Sequence, residues 1–435
     1  MSRFLFLYDA ARTANKLRKK YKKERAGKRL SPVRRIEFVH PVPGQRVVSM
    51  TFDDGPMAMG CNPPKGGKGL TEYLLGVMAK YGARGTFDVV GSTADNYPDT
   101  EGALGSFNWG GCKSDHYPMF GWDKLAGAID CPQLIRAILD AGHEISNHSC
   151  THHLFGPMNL VYRQRRSFDT IDQVVGDLRR LHDHLQQEFG YTMRLSRPPH
   201  YIDAIPDGFN AYDAYQFMGY QYMAAGFDGG GWKASCGDYQ RDVDAMVRPL
   251  EQMLRENPDS LNGQIISQKD GFNMSRQTPV ADALGRQLEL LQQFGYRVVP
   301  VSELIALSPF EDLDPACPQM EHVRALLELG CVIGYKNNSF QPQRPVTGEE
   351  IAVMTTPPAV FRRNLGTPKA CDPYRMAQGH GVEAGRGALS GRQMMELAEK
   401  HHVELTETGF RDKPRVPRLD AMELVRRLAE QKQAK

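Results

Sequence analysis

The sequence predicts an α/β fold: a parallel sheet of about seven strands, closed or nearly closed as a barrel, followed by a small, mostly helical repeat domain. Three observations lead there. From Arg46 onward, short β-rich runs alternate with helix-period segments, the pattern of a parallel sheet covered by helices. Near residues 308–318 this rhythm gives way to short helices and proline-rich turns. The composition, 41% apolar and 24% charged over 435 residues, is that of a globular protein with a sizeable core. No window approaches the roughly 18 uninterrupted apolar residues of a spanning helix, so a transmembrane segment is excluded.

Taken in order, residues 1–45 form a basic N-terminal arm. Residues 1–36 hold 13 Lys and Arg against Asp9 and Glu24. That is +11 within an overall +3, which leaves −8 for the rest of the chain. The body is mildly acidic, so the pI of 8.3 does not point to a nucleic-acid partner. The apolar run at 4–8 is only five residues long, and the basic run follows it. A secretory signal has the reverse order and a longer apolar stretch, so none is predicted. The arm reads as a solvated helix or loose segment, with contact to an anionic membrane or wall polymer as the alternative.

Residues 46–307 hold the barrel. Strands are expected at 47–52, 85–90, 144–147, 193–196, 221–224, 264–267 and 297–299, and helices at 70–80, 133–140, 168–189, 243–256 and 280–294. Residues 92–131, rich in Gly, Asn, Asp and aromatics, read as a long loop inserted beside the barrel mouth. Trp109 and Trp122 within it either stack on a ligand or pack. His182 and His184 lie in a charged helix and read as solvated. Residues 308–435 contain three similar segments, at 346–351, 389–394 and 416–421, each an apolar residue and a helix start. They read as degenerate tandem repeats. Eight cysteines without a CxxC pair argue against a zinc ribbon or a dense disulfide framework. A bridge such as Cys112–Cys131 fits the even count, but without a secretory signal reduced thiols are favoured.

Barrel enzymes of this kind carry their chemistry at the C-terminal ends of the strands. The first strand ends there in Asp53-Asp54-Gly55-Pro56. One Asp in a turn is ordinary capping chemistry, but two at a barrel mouth suggest a site. The strand at 144–147 runs into His148-Ser149-Cys150-Thr151-His152. A spacing of four places both imidazoles on one face of a helical turn, where they can share a metal. Two imidazoles and one carboxylate make a catalytic zinc ligand set with open positions, leaving the second carboxylate free to act as a base.

These two motifs resemble the first two motifs of the polysaccharide deacetylase family, also called NodB-homology or carbohydrate esterase family 4. The likeness runs from about 46 to 307. It includes Gly85-Thr86-Phe87, Ala141-Gly142-His143-Glu144-Ile145, and Gly295-Tyr296-Arg297-Val298-Val299 before Ser302-Glu303-Leu304. The resemblance implies a distorted (β/α) barrel and metal-dependent deacetylation of sugars. It implies that Asp54, His148 and His152 bind a divalent metal, zinc first with cobalt or nickel as alternatives. Asp53 would be the general base and Ser149 would brace the histidine loop. Arg197-Pro198-Pro199-His200 resembles the third motif, whose Arg orients the base and where a backbone N–H helps hold the oxyanion. The family has Tyr where His200 stands, and Tyr201 follows it. Asp228-Gly229-Gly230-Gly231-Trp232 resembles the fourth motif, with Gly231 in place of its second Asp. Residues 265–270 align with the fifth, where Lys269 replaces the family's His. Asp228 is then the surviving carboxylate of the fourth motif, and Trp232 a candidate to stack on a sugar.

The implied activity is removal of N-acetyl groups from a cell-wall or chitin-like polysaccharide or oligosaccharide. Lys269 is either the proton donor or an ion-pair bystander. Sugar O-deacetylation, or a catalytically weak carbohydrate-binding relative, are the rival readings. The C-terminal part resembles S-layer homology modules through Phe310-Glu311-Asp312-Leu313, residues 330–335 and Ser339-Phe340-Gln341-Pro342. That likeness implies attachment to a cell-wall polymer and a wall or extracellular location, whereas the missing signal leaves the cytoplasm open. The module's Thr-Arg helix start reads Thr347-Gly348, Ser390-Gly391 and Pro417-Arg418, so only Arg418 keeps the arginine that would grip an anionic polymer. A purely structural C-terminal domain is the alternative.

Overall fold

The computed structural model describes residues 27–92, 124–158, 166–362, 366, 371–406 and 408–434. The basic run up to residue 26, and Cys112, Trp109 and Trp122 of the insertion, lie outside these. The described residues fall into two units, one drawn from 36–316 and the other from 27–35 with 317–362 and 371–434. The sequence places domain boundaries at 45/46 and 307/308.

In the first unit the strands are β1 (Arg35–Ile36), β2 (Arg46–Asp53), β3 (Thr86–Val89), β4 (Glu144–Asn147), β5 (Leu195–Ser196), β6 (Gln221–Met223), β7 (Phe227–Asp228), β8 (Ile265–Lys269) and β9 (Tyr296–Val299). They form one curled sheet in the order β1-β6-β5-β4-β3-β2-β8-β7, with β9 on β2. This is the expected distorted barrel. All seven predicted strands are present, and only the two-residue strands β1 and β7 were too short to leave a pattern. Strand β2 is central: its first half pairs in parallel with β9, its second half with both β3 and β8. Its start covers an apolar cluster that includes Val47, Ile265, Val299 and Leu304. At its end, register sets Lys269, Asp53, Asp88 and Ser146 in one row across β8, β2, β3 and β4. Residues paired across parallel strands share a face, so this row carries four polar side chains to one place.

The covering helices are α1 (Leu70–Lys80), α2 (Pro132–Asp140), α3 (Ile171–Phe189), α4 (Ala211–Met218), α5 (Tyr239–Glu256), α6 (Pro279–Gln293) and α7 (Val301–Leu307). Caps set the ends that periodicity misplaced. Thr170 and Gln173 close a capping box that starts α3 three residues later than expected. The Asp238 carboxylate accepts from the backbone of Gln240 and Arg241, which starts α5 four residues earlier. Helix α4, not foreseen, lies between an Asn210–Asp213 capping box and Gly219, whose φ of 76° ends it. His182 is half-buried rather than solvated, with Nδ1 2.7 Å from the Tyr220 hydroxyl.

In the second unit the helices are α8 (Met320–Glu328), α9 (Gly348–Met354), α10 (Pro373–Met376), α11 (Gly391–Lys400) and α12 (Met422–Gln433). The three repeat segments meet. Leu389 N–H donates to the Val346 carbonyl at 3.0 Å, Val416 N–H to Leu389 at 2.9 Å and Val346 N–H to Val416 at 2.9 Å. This closed ring of three bonds joins equivalent residues. Arg418 is fully buried, with its guanidinium over the Tyr335 and Phe340 rings, bonded to the Ile333 carbonyl and 3.6 Å from Glu350. Residues 27–35 belong here: Leu30 is buried and Arg34 donates to Asn338 at 2.7 Å.

Two stability predictions follow from these contacts. His143 Nδ1 accepts the Gly85 N–H at 2.9 Å, and burial pushes this imidazole down to about 4. The unfolded chain binds that proton near pH 6.5, so His143 stabilises the fold above pH 6.5, and this contribution is lost as pH falls toward 4. His143→Gln keeps an acceptor without the titration. Between pH 7 and 5, wild type should lose about 2 kcal/mol more stability than this variant in urea unfolding. Arg418→Met removes the buried guanidinium 3.6 Å from Glu350 and leaves the partly exposed Arg344, 3.7 Å away, as the remaining cation beside that carboxylate. It should lower the stability of the C-terminal unit by about 3 kcal/mol, measured by the same method.

Candidate active site

The chain leaves β2 at Asp54, which has a φ of 78° and donates its N–H to the Asp88 carbonyl. Gly55 follows because nothing larger fits: a Cβ there would lie 2.0 Å from the Asp270 carboxylate. The histidine loop is not the helical turn that a spacing of four suggested. Residues 148–152 are irregular, with Ser149 and His152 at φ 76° and 56°. Side chains hold this shape. Asn147 Oδ1 accepts the Ser149 N–H, and Ser149 Oγ accepts the His152 N–H, both at 2.9 Å. Asp177 of α3 accepts the Cys150 N–H at 2.7 Å and the Thr151 hydroxyl at 2.8 Å. The bracing expected of Ser149 is thus visible in the backbone it holds.

Both imidazoles converge on one atom. Asp54 Oδ1 lies 3.1 Å from His148 Nε2 and 3.0 Å from His152 Nε2, and all three residues are buried. The other nitrogen of His148 faces the Arg197 carbonyl at 2.9 Å and the Asp88 carboxylate at 2.8 Å. Both are acceptors, so Nδ1 carries a proton, and in the neutral ring Nε2 presents its lone pair to Asp54. Burial opposes charge on this ring, and the Asp88 carboxylate outweighs it, raising the His148 pKa. Two ring nitrogens and a carboxylate oxygen at this spacing could hold a divalent metal ion, which satisfies lone pairs that otherwise repel.

Asp53 is gripped by Arg197. That guanidinium is buried and also donates to Thr51 Oγ1 at 3.1 Å and the Ala224 carbonyl at 3.3 Å. Burial opposes its charge, but Asp53 and its neighbours keep it fully protonated.

Lys269, beside Asp53 in the register row, places its buried Nζ on Asp54 Oδ2. Burial pushes this ammonium down to about 7, with the Asp53 and Asp270 carboxylates pulling it back up. The Thr71 hydroxyl donates its one proton to the Asp270 carboxylate, whose oxygens lie 2.7 and 2.9 Å away, and burial raises this carboxyl to about 7.

The remaining sequence candidates divide. The His200 ring lies 5.4 Å from that of His152, and the Arg197 guanidinium 5.6 Å from the Tyr201 ring. Tyr201 gives its own N–H to the Pro198 carbonyl at 2.9 Å, so this amide is not offered to a ligand. Asp228 and Trp232 join each other, the indole N–H donating to the carboxylate at 3.1 Å. Asp228 also takes the Gly230 N–H and is exposed. Gly231 lies against Lys269, where a Cβ would be 3.3 Å from the lysine Cβ. Arg418, fully buried, presents no charge to a polymer. Residues 348 and 391 are closed to larger side chains, since a Cβ would meet the Gly385 carbonyl at 2.3 Å and the Phe410 carbonyl at 2.0 Å.

Sequence reasoning missed Asp88 and Asp177. Asp88 left one signal, a carboxylate inside an otherwise uncharged four-residue strand. Asp177 left none, because acids are common in an amphipathic helix.

Residues 40–221 match the polysaccharide deacetylase family model, and residues 309–352 that of the S-layer homology domain. Among curated proteins the chain is similar to the peptidoglycan-N-acetylmuramic acid deacetylase PdaC of Bacillus subtilis. The two are 27% identical over 158 residues, 36% of this chain and 22% of the relative. The match therefore spans about a fifth of that relative's length. The solved structure of B. subtilis PdaC has 22% identity and a TM-score of 0.39, covering 61% of this chain and 92% of its own. The chitin deacetylase of Colletotrichum lindemuthianum has 18% identity and a TM-score of 0.41, covering 62% and 90%. By the family models, residues 40–221 are similar to polysaccharide deacetylases and residues 309–352 to S-layer homology domains.

Proposed function

We propose that this protein is a metal-dependent hydrolase that removes N-acetyl groups from a cell-wall or chitin-like polysaccharide. The observation that carries this reading is the convergence of His148 Nε2 and His152 Nε2 on Asp54 Oδ1, with a second carboxylate, Asp53, fixed alongside by Arg197. Asp54, His148 and His152 would hold the metal, for which zinc is the first choice and cobalt or nickel the alternatives. When bound, such an ion lowers the pKa of its water toward about 7 and polarises the substrate carbonyl.

The chain's own groups do the rest. Asp53 is aimed by Arg197 and takes the proton of the attacking water. As the C–N bond breaks, the leaving amine needs a proton, and the Lys269 ammonium is the buried donor at the pocket. The products are acetate and a free amine. His200, Tyr201, Asp228 and Trp232 flank the sugar. Peptidoglycan is the first polymer to test, given the name of the B. subtilis relative. The lysine in place of the family's His favours a slow enzyme, and at the limit a carbohydrate binder, over a fast one. Sugar O-deacetylation needs the same site but a weaker proton donor.

The S-layer homology match supports association with the cell surface. The buried Arg418 and the closed positions 348 and 391 support a structural role for the rest of the C-terminal unit.

The test is acetate release from peptidoglycan and from N-acetylglucosamine polymers, with metal restored after chelation; release from O-acetylated glycans alone would favour the ester reading. Asp54→Ala should lose bound metal in elemental analysis. Asp53→Asn should keep the metal and turn over at least ~100-fold more slowly, the worth of a general base. Near-normal turnover by Asp53→Asn would show that another group activates the water. Asp88→Asn should weaken metal binding about 10- to 100-fold in calorimetric titration, because it loosens the anchor of His148.

A further inference from the structure

Lys269 makes a contact that a proton donor does not need. Its ammonium sits on Asp54 Oδ2, while the other oxygen of the same carboxylate faces the two imidazoles. Both partners are about 95% buried. The lysine is confined along its length. Its backbone pairs with Asp53, and Gly231 and Gly271 wall the stem, where a Cβ would lie 3.3 Å from Lys269 Cβ and 3.2 Å from Lys269 Cε. The buried ammonium lies within the carboxylate cluster.

The other carboxylates of that cluster have partners of their own: Asp53 is held by Arg197, Asp270 accepts from the Thr71 hydroxyl, and Asp88 is bonded to Ser146 at 2.6 Å and to His148. Asp54 is the carboxylate on which the ammonium sits, and it is also the carboxylate the metal needs. We infer that Lys269 competes with the divalent ion for Asp54, so that metal loading displaces this ammonium toward Asp270. This inference rests on the metal reading given above. The competition makes the site a weaker metal site than its three ligands would otherwise form.

The experiment is calorimetric titration of the chelator-treated full chain with Zn²⁺, comparing wild type with Lys269→Met and Lys269→Gln and using Asp54→Asn as the control. Removing the ammonium should tighten metal binding about 10- to 100-fold in both lysine variants, the worth of a charge-assisted contact. The melting temperature gives a second readout: before metal is added, wild type should melt above Lys269→Met, and saturating Zn²⁺ should narrow or reverse that order. Equal or weaker affinity in both folded variants overturns the competition. So does failure of both to fold while chelated wild type is folded, because Lys269 would then be a structural ion-pair partner. Absence of Asp54-dependent binding in every form overturns the metal reading itself. Asp54-dependent binding that tightens as expected, with no acetate released from any glycan, supports the competition and removes only the deacetylase reading.

Discussion

Four carboxylates meet at the C-terminal ends of three neighbouring strands, and their charge is the constraint that the surrounding structure answers. Asp54, Asp88 and Asp270 are buried and Asp53 is nearly so. An isolated buried carboxylate is expensive, so each must be paired or protonated. Arg197 answers Asp53, Lys269 answers Asp54, Ser146 and His148 answer Asp88, and Thr71 answers Asp270. Two fixed cations against four carboxylates leave a net of −2 when the imidazoles are neutral and Asp270 is ionised. A divalent ion on Asp54, His148 and His152 cancels that charge. The need for compensation is therefore independent of any family likeness: it arises from strand register, which aligns Asp53, Asp88 and Lys269 in a single row.

Much of this was legible in the sequence, for identifiable reasons. Strand β2 is a mostly apolar, buried run followed by two acids, and a parallel sheet delivers such an end to the functional rim. The paired histidines follow a strand in the same way. What spacing could not show was the path between them. HxxxH suggested a helical turn, but the loop is built from left-handed residues at Ser149 and His152, held by Asp177 from a helix more than 20 positions away in the chain. Contacts of that kind leave no local pattern. Asp88 lies between the two regimes: its burial follows from its strand, but its partner His148 follows only from the β3–β4 pairing.

The C-terminal unit shows the same limit from the other side. Three apolar residues preceding helix starts were visible as a repeat, and they close a ring of backbone bonds at Val346, Leu389 and Val416. The function inferred from the Arg418 position did not follow from that repeat. Arg418 faces inward, under two aromatic rings and beside Glu350. At the two equivalent positions, Gly348 and Gly391 abut backbone carbonyls that exclude a side chain. A repeat specifies where the backbone goes. Whether the residue at its signature position faces solvent depends on the loops packed over it.

The two departures from the deacetylase pattern, Gly231 and Lys269, are best understood as one change. They are 38 positions apart in sequence yet adjacent in space: a Cβ at 231 would lie 3.3 Å from the lysine Cβ. An aspartate at 231 would crowd that stem and offer the ammonium a carboxylate away from the metal ligands. With glycine there, the longer side chain has room, and the acids that act on it are Asp53, Asp54 and Asp270. The resemblance implies an Asp and a His in these places, a pair in which the acid serves the imidazole. Here the acid is gone and a lysine stands in the place of the imidazole, its ammonium on Asp54. Each substitution alone would leave a buried group poorly matched: a lysine crowded by an aspartate, or a histidine without its carboxylate. Together they set a buried ammonium against Asp54, the carboxylate that His148 and His152 also face.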